Sequence, residues 1–280
     1  MTTALEAVAL TARGVRRPGH RSALATLAGR RFALTARTPR ELVVPLLTPV
    51  LFALVIAPAL KTALHTSADY ESYVALGTIG LLIPLNTMFL GIGSIVDRES
   101  GARRELLAAP VPRSLLVLGN FPVALATTLL QIAVLLAFAT ARGIHFHARG
   151  AGFLWSAAAV WLFTIGMAAA AETLASRVPR QEEYIARVPA IAIAPWFLAG
   201  SLFPITSLPL VLAWIARFLP LTHALAVLRW GLLHDSTGLH NIWRSGDVTA
   251  MAAMSLGVVG LIALLLTAVS LRAITRAAVQ

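Results

Sequence analysis

The chain has 280 residues, of which 58% are hydrophobic and only 12% charged, with a net charge of +11 and no cysteine. A soluble domain carries about 25% charged residues, so the composition excludes that class and indicates an integral membrane protein; disulfide and thiol chemistry are excluded outright. The positive excess would suggest nucleic acid in a soluble chain, but arginines gathered on one side of a bilayer explain it better here, and no nucleic-acid partner is expected.

Residues 1–40 hold eight arginines, Arg13, Arg16, Arg17, Arg21, Arg30, Arg31, Arg37 and Arg40. The weakly apolar 1–12 precedes them and no long apolar run starts before 42, the reverse of a cleaved secretory signal. Residues 22–36 predict an interfacial helix with Leu24, Leu27, Phe32 and Leu34 on one arc. Arg31 interrupts that arc and would have to snorkel.

Six apolar segments follow, each near the ~20 residues that cross ~30 Å of hydrocarbon. They run over about 41–60, 73–96, 114–139, 152–175, 188–203 and 248–271. Backbone groups in lipid must be paired internally, so all are expected to be helices. Pro45, Pro49 and Pro58 predict a kink in the first span. With both termini in the cytosol, 17 of the 23 basic residues lie inside and six outside. That bias selects the N-in, C-in arrangement.

Between the second and third spans lies D-R-E-S-G-A-R-R-E-L-L-A-A-P-V-P, residues 97–112, the most charged stretch of the chain. A charge at the bilayer centre costs at least ~2.5–3.5 kcal/mol, so this stretch lies in water, on the cytosolic side. Glu99 and Arg103, four apart with the acid first, support a short helix. Pro110 and Pro112 end it. It is either a solvated connection or a helix gripped by another protein.

Residues 204–247 are long for a loop and carry apolar patches at 208–215 and 225–233, broken by Pro204, Pro209 and Pro220. One or two re-entrant or interfacial helices at the outer face are predicted, with Trp196, Trp214, Trp230 and Trp243 as the interface belt.

A P-loop needs G-x-x-x-x-G-K-[ST], and the one lysine, Lys61, follows no glycine-rich loop. ATP-driven transport therefore needs a separate ATPase chain. His145 and His147 form H-x-H, but nothing nearby completes three or four metal ligands, and no metal is expected. Glu172 is the one acid well inside an apolar segment; it is a proton site or a structural ion pair. Asn86, Thr87, Gln131 and Thr164 either line a polar path or join helices.

Two stretches together resemble type-2 ABC exporter permeases. The first is 97–120, matching at Asp97, Arg98, Glu99, Gly101, Leu106, Leu107, Pro110, Arg113 and Gly119. There the family more often has Glu at 97 and Thr-Leu-Glu at 102–104. The second is 197–229, matching at Phe197, Gly200, Phe203, Pro204, Leu208, Pro209, Pro220, Leu221, Thr222 and Arg229. Leu219 and His223 replace the usual Asn and Tyr. The resemblance covers about 20–272 and is nearest to daunorubicin-resistance-type drug or lipid exporters.

The resemblance implies an all-α fold with an N-terminal interfacial helix, six spans, a cytosolic coupling helix, and outer re-entrant helices between spans 5 and 6. It divides the chain into a basic N-terminus over 1–40, a permease domain over 41–272 and a tail over 273–280. It implies a homo- or heterodimer of permeases in a bacterial plasma membrane, moving a drug or lipid outward. ATP and Mg are held by the ATPase subunit and this chain binds no cofactor. Coupling to that subunit falls to Asp97, Arg98, Glu99, Gly101, Arg104, Glu105, Leu106 and Leu107. The candidate substrate path has Asn86, Thr87, Phe89, Phe197 and Phe203; the outer motif has Pro204, Pro209, Pro220 and Arg229. The alternatives are a polysaccharide or polyketide-lipid exporter and a proton-coupled transporter using Glu172. A membrane enzyme finds no clustered acids or nucleophile to support it.

Overall fold

A computed structural model describes residues 19–64, 69–108, 111–147, 150–243 and 245–277. Within them the chain is helical and has no strand. The earlier arginines, Arg13, Arg16 and Arg17, and also Pro110, Arg149 and Arg244, lie outside the described residues.

Helix α1 covers His20–Arg37. Of the expected apolar arc, Leu24 and Leu27 are half-buried. Ala23, Ala28, Arg31 and Thr35 are buried, while Phe32 and Leu34 are exposed. The spacing of 23, 28, 31 and 35 is still helical. The small side chains let the helix approach the bundle, with Leu27 Cβ 3.0 Å from where a Cβ on Gly119 would stand. Arg31 does not snorkel outward. Its guanidinium donates to the Leu90 carbonyl.

The first span is α2, Arg40–Leu51, a π-helical turn Phe52–Ile56, and α3, Ala57–Leu64. Pro45 and Pro49 each remove a backbone donor, and the wide turn after them takes up the mismatch. This is the expected irregularity, in the form of a π-bulge.

The centre of the molecule is α4, Asp69–Glu99. Its apolar window is 83% buried, against 22% for the first span and 22% for the last, so the other helices pack around it. Asn86 on α4 donates to the hydroxyls of Thr127 at 3.0 Å and Thr128 at 2.8 Å. In a bilayer such bonds join helices where hydrophobicity cannot.

After α4 come α5, Ala102–Ala108, and a third span made of α6, Ser114–Leu118, and α7, Phe121–Ala141. A two-residue turn at Gly119 and Asn120 separates α6 from α7. Then follow α8, Ala151–Arg177, and α9, Gln181–Leu198.

Here the structure departs from the expected six spans. Five helices are long and apolar enough to cross a membrane: Val43–Ala63, Tyr70–Glu99, Ser114–Ala141, Ala151–Arg177 and Val248–Thr275. The expected span at 188–203 is not among them. It belongs to α9, whose first turns carry Glu182, Glu183 and Arg187, and which ends at a left-handed turn at Gly200, φ +79°.

Next come α10, Leu210–Phe218, and α11, Pro220–Leu233, bent by 79° at Leu219. Pro220 occupies the first helical position of α11, where its missing N–H costs nothing. The pair counts as a sixth span only if taken as one broken helix. Short α12, Thr237–Trp243, leads to α13, Val248–Ala277, which lies along α8. Asp97 at the end of α4 and Arg31 of α1 mark one end of the bundle; α11 meets the opposite end, beside Tyr73.

Candidate functional site

The charged stretch between spans divides at Gly101. Helix α4 runs through Asp97, Arg98 and Glu99 and stops. Gly101 turns the chain with φ +81°, a region costly to a residue with a Cβ. The turn separates Glu99 and Arg103 onto two helices, and the expected ion pair between them is not made. Among the described residues the ion pairs are Arg30–Asp97, Lys61–Glu71 and Arg187–Glu183.

The three residues before the turn face three different ways. Asp97 accepts both arms of Arg30 from α1, at 2.7 and 3.1 Å. Arg98 turns toward the end of α8 and donates to the carbonyls of Ala175 at 2.8 Å, Val178 at 2.5 Å and Pro179 at 2.9 Å. These belong to a helix end, where carbonyls have no partner within the helix. Glu99 is exposed and makes no hydrogen bond or ion pair with any described residue. Of the residues expected to meet a partner, Asp97 and Arg98 are therefore engaged inside the chain.

No residue of α5 is buried. Arg104, Glu105 and Ala108 are exposed, and Leu106 and Leu107 are half-buried. With Glu99, Arg104 and Glu105 form a charged outward face of both signs. Arg103 and Leu106 turn back over a cavity of about 50 Å³, lined also by Arg30, Ser94, Asp97, Asn120 and Glu172.

Behind that cavity sits the intramembrane acid. Glu172 is 6% exposed. Ser94 donates to its carboxylate at 2.9 Å and Asn120 at 2.7 Å, so α4, the α6–α7 turn and α8 meet on one group. Arg31 and Arg103 provide positive charge around it. Arg31 enters because residue 93 is glycine; a Cβ there would collide with the guanidinium. Sequence reasoning missed Arg30, Arg31, Ser94 and Asn120 as members of this cluster. The available signals were the arginine breaking an apolar arc and the Gly-Asn pair breaking an apolar run.

The candidate path residues separate into two groups. Asn86 and Thr87 are 0% and 1% exposed and spend their hydrogen bonds within the bundle. Phe89 is half-buried against the core, whereas Phe197 and Phe203 are exposed on the surface beside the last turn of α9. The side chains of Asn86 and Thr87 are therefore buried, Thr87 beside a small cavity that Arg31, Leu90 and Glu172 also line. His145 and His147 are exposed, His147 lies edge-on to His234, and no group of three metal-ligating side chains occurs among the described residues.

At the opposite end, Arg229 organises the outer motif. It is 3% exposed and donates to Gly200 at 2.9 Å, Ser201 at 3.1 Å and Tyr73 at 3.2 Å, all backbone carbonyls. Its guanidinium stacks 3.3 Å from the Tyr73 ring. Pro204 and Pro209 precede the 3-10 turn Ile205–Ser207 and α10, and each fixes an extended residue before a helical turn. Beside them α10 presents Leu210, Val211, Trp214 and Phe218, all exposed.

No curated protein matches the chain. The family model described as "ABC-2 type transporter" matches residues 22–233, which includes α1, the charged turn with α5, and α11 through Arg229. Members of that family form membrane domains that work with an ATPase subunit and have no catalytic role of their own. A multi-pass helical bundle, a charged helix left uncovered at one end and a match over most of its length make this chain a member of the ABC-2 type transporter family.

Proposed function

We propose that the chain is the membrane subunit of an ATP-driven exporter of a hydrophobic or amphipathic compound, a drug or lipid. The observation that carries this reading is α5: a helix with no buried residue, set on a glycine turn at the end of the most buried span, with Glu99, Arg104 and Glu105 free. Such a helix contributes nothing to the core, and its face suits a groove in an ATPase subunit that holds ATP and Mg. The basic residues favour the cytosol for this end. A second permease copy or paralogue would cover part of the exposed apolar surface of α2, α9 and α10, with Phe197 and Phe203 beside the substrate route. The bonds from Asn86 to Thr127 and Thr128 support a helix-joining role for Asn86. Thr87 bonds to carbonyls of its own helix. Glu172, with its oxygens already engaged by Ser94 and Asn120, reads as a structural hub more than a proton carrier.

Affinity purification from the native membrane should recover an ATPase with the chain, while the separated chain shows no Mg-dependent ATP turnover, because it has no P-loop lysine. Turnover by the separated chain, or purification with no ATPase, would count against the reading. Single cysteines at Ser67, Ser100 and Gln280 test the orientation; Ser67 and Gln280 lie outside the described residues. In intact cells only Ser67 should react with an impermeant thiol reagent. Labelling at Ser100 would place α5 on the wrong side for an ATPase.

A further inference from the structure

The roots of α5 are tied down although α5 itself is not. One route by which a push on α5 reaches the bundle is the residues just before its turn. Asp97 is held by a forked two-bond contact to Arg30 on α1, and Arg98 by three carbonyls where α8 ends and the chain turns into α9. A guanidinium is planar and fixes direction as well as distance, so both contacts resist rotation. We infer that Asp97 and Arg98 are positioning residues that transmit movement of α5 to α1 and to the α8–α9 turn, leaving Glu99 as the partner-facing member of the triplet.

Two further observations support the assignment. Arg31 docks α1 on α4 deeper in the bundle, through the gap at Gly93, so α1 stays in place when the Asp97 contact is changed. The cavity beneath Arg103 and Leu106 gives α5 room to shift without first breaking core packing. A connection that merely joined two spans would have no need to clamp both α1 and the α8–α9 turn with directional charged bonds. Exposed ion pairs contribute little, but Arg30–Asp97 is partly buried and bidentate, the geometry in which such contacts fix orientation.

The inference rests on the coupling function proposed above, and the test separates the two. The complex of the chain with its co-purified ATPase is placed in nanodiscs, with spin labels on cysteines at Ala25 of α1 and Glu182 of α9, both exposed. The distance between labels is measured without nucleotide and after trapping with Mg-ATP and vanadate. The parent chain is expected to show a shift between the two states. Asp97→Asn and Arg98→Gln should assemble and trap vanadate normally, yet lose most of that shift. The double variant Arg30→Asp with Asp97→Arg should recover it, which ties the loss to the ion pair and not to either side chain alone. If Arg98→Gln fails to assemble, Arg98→Lys replaces it, since an ammonium keeps the charge but cannot span three carbonyls. Single variants with a full shift, or a double variant that recovers nothing, overturn the inference and leave the function standing. A parent chain that recruits no ATPase overturns both.

Discussion

Arg229→Leu is expected to lower the apparent melting temperature of the purified protein by roughly 10 °C, on the scale of about 2–4 °C per kcal/mol for proteins of comparable size. The side chain is 3% exposed, and among the described residues it forms no ion pair; its partners are the carbonyls of Gly200, Ser201 and Tyr73. Leucine removes the cost of burying a charge but leaves the carbonyls behind. Tyr73 donates its hydroxyl to Gly200 at 2.8 Å, so that oxygen stays satisfied. The Ser201 carbonyl has no such substitute, and an orphaned buried acceptor costs about 1–3 kcal/mol. Loss of the guanidinium stacked on Tyr73 adds on the order of 2 kcal/mol when desolvated. The two losses, about 3–5 kcal/mol together and reduced by the relief of charge burial, fall on the contact between α11, the turn after α9 and the start of α4. Arg229→Lys should be intermediate, because one ammonium reaches fewer of the three carbonyls. Scanning fluorimetry in one detergent reads all three proteins. Unchanged melting in Arg229→Leu would mean that packing of α11 holds the turn unaided.

Much of this architecture could be read before the coordinates, because hydropathy over ~20 residues is a strong local signal. The spans at 41–60, 73–96, 114–139 and 152–175, and the proline-broken pair near 210–233, stand where their apolar runs placed them. The failures share one cause: composition does not say which way a side chain turns. The α1 sequence put Leu24, Leu27, Phe32 and Leu34 on one arc of an interfacial helix with Arg31 snorkelling out of it, yet Arg31 is buried against the gap at Gly93. The Glu99–Arg103 pair obeyed the i, i+4 rule and failed because Gly101 lies between them. The apolar run at 188–203 looked like a span of its own, but its helix begins earlier, in charge, and ends sooner, at a glycine turn. The Glu172 cluster was only half legible. The acid was conspicuous in an apolar run; Ser94, Asn120 and Arg31 meet it only through tertiary packing.

Glu99→Ala is expected to leave expression, membrane insertion and melting temperature unchanged while uncoupling ATP turnover from transport. The first half follows from the structure: Glu99 is exposed and bonds to no described residue, so its removal breaks no bond among them, takes away only its charge effect on Arg98, and falls within the ~0.5 kcal/mol typical of surface changes. The second half follows from the proposed partner. Asp97 and Arg98 already face inward, and Glu99 is the acid of the triplet left for another protein. A charged hydrogen bond desolvated at such an interface costs about 2–5 kcal/mol to truncate, and the lower figure alone is roughly a 30-fold change in an equilibrium. Transport per ATP hydrolysed should fall by about that order, with the complex still assembling through the rest of α5. Asp235→Ala, at the opposite end, is the control. Its carboxylate caps the Thr237 N–H at 2.9 Å, so this change costs about 1 kcal/mol of local helix stability and should leave the ratio of transport to turnover intact. A normal ratio in Glu99→Ala, with the ATPase bound in normal amount, would reduce the exposed face of α5 to a solvated connection between two spans.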